Sequence, residues 1–190
     1  MSSTFDWQTF IDSTYPAGLK VGGILLAHSR AVALEALDIA RRLNLPLDPE
    51  VIETAAMLHD VGIIRTNAPG IGCYGSAPYL CHGIIGADML RKAGADEIYA
   101  RVAERHTGAG LTQAEIAARS LPLPADRSYM PETLLERLVC YADCFYSKSG
   151  DMRRKPLERV ERSMAGFGEA VLDRFRELHR EFGPGAAPVR

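Results

Sequence analysis

Six polar side chains stand where the helical pattern of this chain calls for apolar ones, and they limit what it can fold into. His28 has Leu25 at i−3 and Val32 at i+4, opposite a stripe carrying Arg30, Asp38 and Arg41. His59 shares a face with Ile52, Ala55 and Ala56, and Asp60 follows it directly. His82 opens one helical segment, His106 closes the next, and Asp143 lies between Val139 at i−4 and Tyr146 at i+3. A lone inward histidine is more often a hydrogen-bonded core residue than a ligand. The set is different. Burying an unpaired carboxylate or a charged imidazole costs several kcal/mol, so two inward aspartates and four inward histidines need a cation among them. A divalent metal meets that need, because neutral imidazoles and carboxylates are its ligands.

The rest of the pattern predicts an all-α protein. Helices are expected over 4–14, 19–44, 49–64, 82–92, 95–106, 112–120, 132–148 and 157–182, and no alternating β pattern survives beyond a few residues. Asp48, Pro49 and Glu50 read as cap, first turn and dipole partner of the third helix. Residues 66–80 carry Pro69, Gly70, Gly72, Gly75 and Pro78 and read as a loop, as do residues 121–131. At 190 residues the chain suits a single domain spanning 1–190, with a core over about 20–150, a last helix over 157–182 and a flexible tail over 183–190.

Composition narrows the partners. A net charge of −2 gives no polyanion-wrapping surface, so nucleic acid is not an expected partner. No apolar run approaches the roughly 20 residues of a membrane span. The first residues lack the basic and apolar regions of a signal peptide, and the four cysteines include no CxxC pair. A reduced, cytoplasmic protein is expected.

The order His28, His59-Asp60, Asp143 resembles the HD superfamily, and Ala55-Ala-Met-Leu-His-Asp-Val-Gly62 is similar to its HDIG subgroup. Ala27-His-Ser-Arg-Ala-Val-Ala33, His82-Gly-Ile-Ile-Gly-Ala-Asp88, Glu104-Arg-His-Thr-Gly-Ala-Gly110 and Ala142-Asp143 extend the resemblance over about residues 20–150. It implies an HD-domain helical bundle with a metal site at its centre. It further implies that His28, His59, Asp60 and Asp143 hold one divalent metal, and that Asp60, His82 and His106 hold a second, with Asp60 bridging at the catalytic centre. Iron or manganese is expected first; zinc, nickel, cobalt and magnesium are also compatible. The fifth histidine, His179, reads as a surface or helix-end residue.

The activity implied is metal-dependent hydrolysis of a nucleotide or another small phosphate ester. Ile63 and Ile64 stand where many HDIG members carry Lys or Arg after the glycine, so Arg65 is the expected catalytic cation for a substrate phosphate. The stretch 67–79 reads either as a substrate lid with glycine hinges or as a surface loop. Two other readings of the same six ligands stay open. One is a mixed-valence di-iron oxygenase similar to inositol oxygenase; such enzymes orient substrate with a lysine, and no lysine is expected near the ligands here. The other is a non-catalytic, metal-bound sensing module.

Overall fold

The computed structural model describes residues 5–189. Nine α-helices in the described residues build a bundle: α1 (Trp7–Thr14), α2 (Lys20–Leu43), α3 (Pro49–Leu58), α4 (His82–Lys92), α5 (Glu97–Arg105), α6 (Gln113–Ala118), α7 (Leu134–Asp143), α8 (Leu157–Ala165) and α9 (Glu169–Phe182). Capping accounts for several starts. Asp48 accepts from the Glu50 amide at 2.9 Å with Pro49 in the first turn. Thr112 and Glu115 form a reciprocal capping box on α6. The long α2 ends at Asn44 in the left-handed conformation (φ +51°).

The apolar stripe of α2 packs on α3 and α7, α4 lies along α5, and α9 closes over α7 and α8. Leu25, Val32, Ile52, Leu58, Val61, Leu138, Val139 and Phe175 are fully buried between them. All four cysteines are buried and free.

The structure departs from the sequence pattern at four places. The helix expected over 49–64 stops at Leu58, and a 3₁₀ turn runs from Val61 to Arg65. The loop over 66–80 contains a short antiparallel hairpin, β1 (Asn67–Ala68) with β2 (Cys73–Tyr74), paired Asn67 to Tyr74 and Ala68 to Cys73. The helix expected over 132–148 ends at Asp143. The helix expected over 157–182 is broken into α8 and α9 at Gly166-Phe167-Gly168, where Gly168 takes φ +119°.

Three surface contacts add to these departures. The tail is tied back, for the Val189 amide donates to Leu43 O at 2.8 Å and Arg42 donates to the carbonyls of Phe182 and Gly183. His179 is in the last turn of α9 but partly buried, bonded to the Tyr141 hydroxyl at 2.8 Å. Arg154 is paired to Glu35 at 2.9 Å and lies over the Phe145 ring. Of the opening helix expected over 4–14, residue 4 lies outside the described residues.

Candidate metal centre

Each of the six polar side chains is delivered by an element end or an inward helix face. His28 points in from the middle of α2. His59 caps α3, and the change to a 3₁₀ turn after Asp60 lets two adjacent residues face the same space. A continuous α-helix would set neighbours roughly 100° apart. His82 opens α4, His106 follows α5, and Asp143 is the last residue of α7.

Two glycines make the convergence possible. A Cβ on Gly62 would stand 2.1 Å from the His82 carbonyl oxygen and 2.5 Å from the Gly86 amide nitrogen. Only glycine lets the turn after Asp60 lie against the start of α4. A Cβ on Gly83 would meet the Ala103 carbonyl oxygen at 2.7 Å, so glycine also sets the approach of α4 to α5, and hence of His82 to His106.

Asp60 is the hub, and its two oxygens face different partners. Oδ2 lies 3.1 Å from His28 Nε2 and 3.2 Å from His59 Nε2. Oδ1 lies 3.3 Å from both His82 Nε2 and His106 Nε2. Asp143 Oδ1 closes the first group, 2.9 Å from His28 Nε2 and 3.5 Å from His59 Nε2. His28, His59, Asp60 and Asp143 thus form one set that could hold a metal ion, and Asp60, His82 and His106 a second.

Backbone carbonyls fix the histidine tautomers. The Nδ1 of His59 faces Ala56 O at 2.6 Å, that of His82 faces Tyr79 O at 2.7 Å, and that of His106 faces Ala103 O at 2.8 Å. A carbonyl only accepts, so each Nδ1 carries a proton, and a ring in its neutral form turns its Nε2 lone pair toward Asp60. His82 Nε2 and His106 Nε2 stand 3.0 Å apart. Two lone pairs at that distance repel unless a proton or a cation lies between them. Asp60 Oδ1, Asp143 Oδ1 and His59 Nε2 are likewise buried without a hydrogen-bond partner. The donor set therefore fits a divalent cation in chemistry as well as in spacing.

The electrostatics agree. Burial opposes ionisation of Asp60, yet Lys148 and then His59 hold its carboxyl well below the usual carboxylate range. Burial opposes Asp143 too, and Lys148 with His28 outweighs it. For His59, burial works against the charged ring, but the Asp60 and Asp143 carboxylates lift it to about 10. Burial drives His82 down to about 3.

Lys148 corrects the expectation that no lysine lies near the ligands. Its ammonium is 2.6 Å from Asp60 Oδ2, with the side chain only 12% exposed. Read as the continuation of α7, Lys148 would lie roughly 140° around the helix from Asp143. Because α7 ends at Asp143, the chain turns back and carries Lys148 into the cluster. The run Ser147-Lys148-Ser149-Gly150 is the signal that could have placed the helix end earlier. Arg65, the expected catalytic cation, does not join the cluster. It is exposed at the end of the 3₁₀ turn and lines a separate cavity of about 1000 Å³ with Lys92 and Tyr74. An open cavity of about 380 Å³ adjoins Asp143 instead, walled by Tyr79, Tyr146, Lys148 and the hairpin residues Ala68, Gly70 and Ile71.

Known proteins place this arrangement. The HD domain family model matches residues 25–147. The chain is 33% identical over 175 residues to a tRNA (cytidine(56)-2'-O)-methyltransferase of Thermoplasma volcanium, covering 92% of this chain and 46% of that protein. An enzyme of the same name from Picrophilus torridus is also 33% identical, over 159 residues, 83% of this chain and 41% of that one. The chain thus spans less than half the length of these relatives. It is 36% identical over 122 residues to the uncharacterized protein MJ0778 of Methanocaldococcus jannaschii, 63% of this chain and 64% of that one. In structure it is similar to the HD domain of the L. monocytogenes phosphodiesterase PgpH, with TM-score 0.53 and 15% identity over 92% of this chain and 95% of that one. The same domain in complex with cyclic-di-AMP gives TM-score 0.54, again at 15% identity, over 92% and 93% of the two chains. At that identity the likeness concerns the fold. With the family model spanning every one of the six clustered side chains, the chain belongs to the HD domain family.

Proposed function

We propose that this protein is a metal-dependent phosphohydrolase that cleaves a small phosphate ester, a nucleotide foremost, at a dinuclear centre divided about Asp60. The observation that carries the proposal is the split of one buried carboxylate, with Oδ2 turned to His28 and His59 and Oδ1 turned to His82 and His106. Divalent ions held by these two sets supply a water acidified toward neutrality and a Lewis acid for a phosphoryl oxygen. Iron or manganese suits the histidine-rich donor set.

The chain's own residues do the rest. Asp60 and Asp143 stay ionised, and the Ala56, Tyr79 and Ala103 carbonyls keep three imidazoles aimed inward. Lys148, on the wall of the 380 Å³ cavity beside Asp143, binds the ester's anionic oxygens, the part first given to Arg65. The fold neighbour complexed with cyclic-di-AMP supports a nucleotide among the ligands to try first. The methyltransferase name belongs to proteins of which this chain spans less than half, and it is not carried over.

The test is phosphate release from a panel of nucleotides and simple phosphomonoesters by Mn(II)-loaded protein without oxygen. His59→Ala should lower the rate at least 100-fold. Lys148→Met should raise KM about tenfold or more, because it removes a charge-assisted contact. Undiminished hydrolysis by His59→Ala would refute the site. Lys148 also favours the oxidative reading, since a lysine at the ligands is what a di-iron oxygenase of this type would use. Oxygen consumption by the Fe(II)-loaded protein, with no phosphate release in Mn(II), would decide for that reading.

A further inference from the structure

Tyr79 is not one of the six clustered side chains, yet it touches the second set in two independent ways. Its carbonyl oxygen takes the His82 Nδ1 proton at 2.7 Å. Its ring stacks on the His82 imidazole, with centroids 4.8 Å apart and planes 26° from parallel. Both contacts follow from one local device: Tyr79–Cys81 is a 3₁₀ turn that runs directly into α4, so residue 79 lies one turn before His82. The same ring walls the 380 Å³ cavity, and the Lys148 ammonium lies 5.9 Å from its centroid.

We propose that Tyr79 is a positioning residue for the second metal set: its ring and carbonyl together lock the His82 imidazole in the orientation and tautomer that complete the site with Asp60 and His106. His82 needs such a lock. The ring is the first side chain of α4, and a partner on one nitrogen alone leaves it free to pivot about that bond. His82 also meets His106 edge-on at 5.0 Å, but the ring neighbours of His59 are the cluster histidines His28 and His106, at 5.3 and 4.8 Å, rather than Tyr79. Loss of the Tyr79 ring therefore acts on one metal set and spares the other. Partners of this kind are worth about 10- to 100-fold in metal affinity.

The inference rests on the two-set reading of the cluster, and the experiment separates the two. Mn(II) is titrated into the full chain stripped of metal, with calorimetry for affinity and electron paramagnetic resonance for the coupled-pair signal. Wild type and Tyr79→Phe, which keeps the ring and the carbonyl, should each bind two equivalents and show the coupled signal. Tyr79→Leu should keep the first affinity, bind the second ion at least tenfold more weakly and lose the coupled signal, with an unchanged circular dichroism spectrum. Tyr79→Leu binding both ions like wild type would overturn the role. So would a folded Tyr79→Phe that loses the second ion, because that would assign the effect to the hydroxyl. Should Tyr79→Leu fail to fold, Tyr79→Met, which keeps bulk without the ring, is read against the same two outcomes. A wild-type protein that binds one equivalent would instead contradict the dinuclear reading.

Discussion

At Asp60 two oxygens of one buried carboxylate meet four imidazole nitrogens and one ammonium, and most of the centre's chemistry follows from that crowding. His59 shows the consequence for protons. The two carboxylates lift its imidazole to about 10 against the opposing effect of burial, so at pH 7 the metal-free ring holds its proton. A metal ligand must give that proton up. The folded group is raised, so the proton is bound below about pH 10 and metal competes with it throughout the physiological range. Metal affinity of the first set should therefore rise about tenfold per pH unit between pH 6 and 9, with about one proton released as that set fills. Calorimetry in buffers of different ionisation enthalpy measures both. His82, pushed to about 3 by burial, should release none in that window. A pH-independent affinity would contradict this account of His59. The six candidates were legible as inward polar residues, and their grouping into two ligand sets came from the resemblance to the HD superfamily. Lys148 was not legible, since its role depends on where α7 stops, and a five-residue extension of that helix turns it away.

Among the elements, the contact between the 3₁₀ turn Val61–Arg65 and α4 brings the two halves of the centre together. The Gly62→Ala substitution inserts a Cβ 2.1 Å from the His82 carbonyl oxygen, which is backbone and has no rotamer to yield. It should destabilise the protein by about 3 kcal/mol, at the upper end for overpacking, and reduce metal binding in the fraction that folds. Urea unfolding gives the first number and metal content the second. On the edge of the fold, Thr112→Ala removes one half of the α6 capping box and should cost about 1 kcal/mol without changing metal content. The start of α3 was legible because Asp48 caps it, whereas α1, α5 and α7, capped by Asp6, Asp96 and Thr133, begin two or three residues after the expected starts. Helix ends were less legible. The breaks at Leu58, Asp143 and Gly166-Phe167-Gly168 are set by what the chain must reach, and periodicity runs through them.

Over the whole molecule, the centre ties α2, α3, α4, α5 and α7 together at their inner faces, so metal and fold stability are linked. A ligand at 1,000 times its dissociation constant adds about 4 kcal/mol to a folded state that alone binds it. For a chain of this length that corresponds to about 8–16 °C in the melting temperature. Chelation should lower Tm by about that amount, and restoring Mn(II) should recover it; an unchanged Tm would mean that the ions do not bridge the bundle. The all-α architecture and its buried centre were readable from the spacing of apolar and polar residues. The placement of Arg65 outside the centre was not, because it depends on the 3₁₀ turn ending with its side chain toward the hairpin groove. The most direct test of the central claim is metal content per chain after anaerobic purification, for wild type and for the His82→Ala, His106→Ala double variant. Two ions in the wild type and one in the variant are predicted. One ion in the wild type, retained when His82 and His106 are both removed, would contradict a centre divided about Asp60.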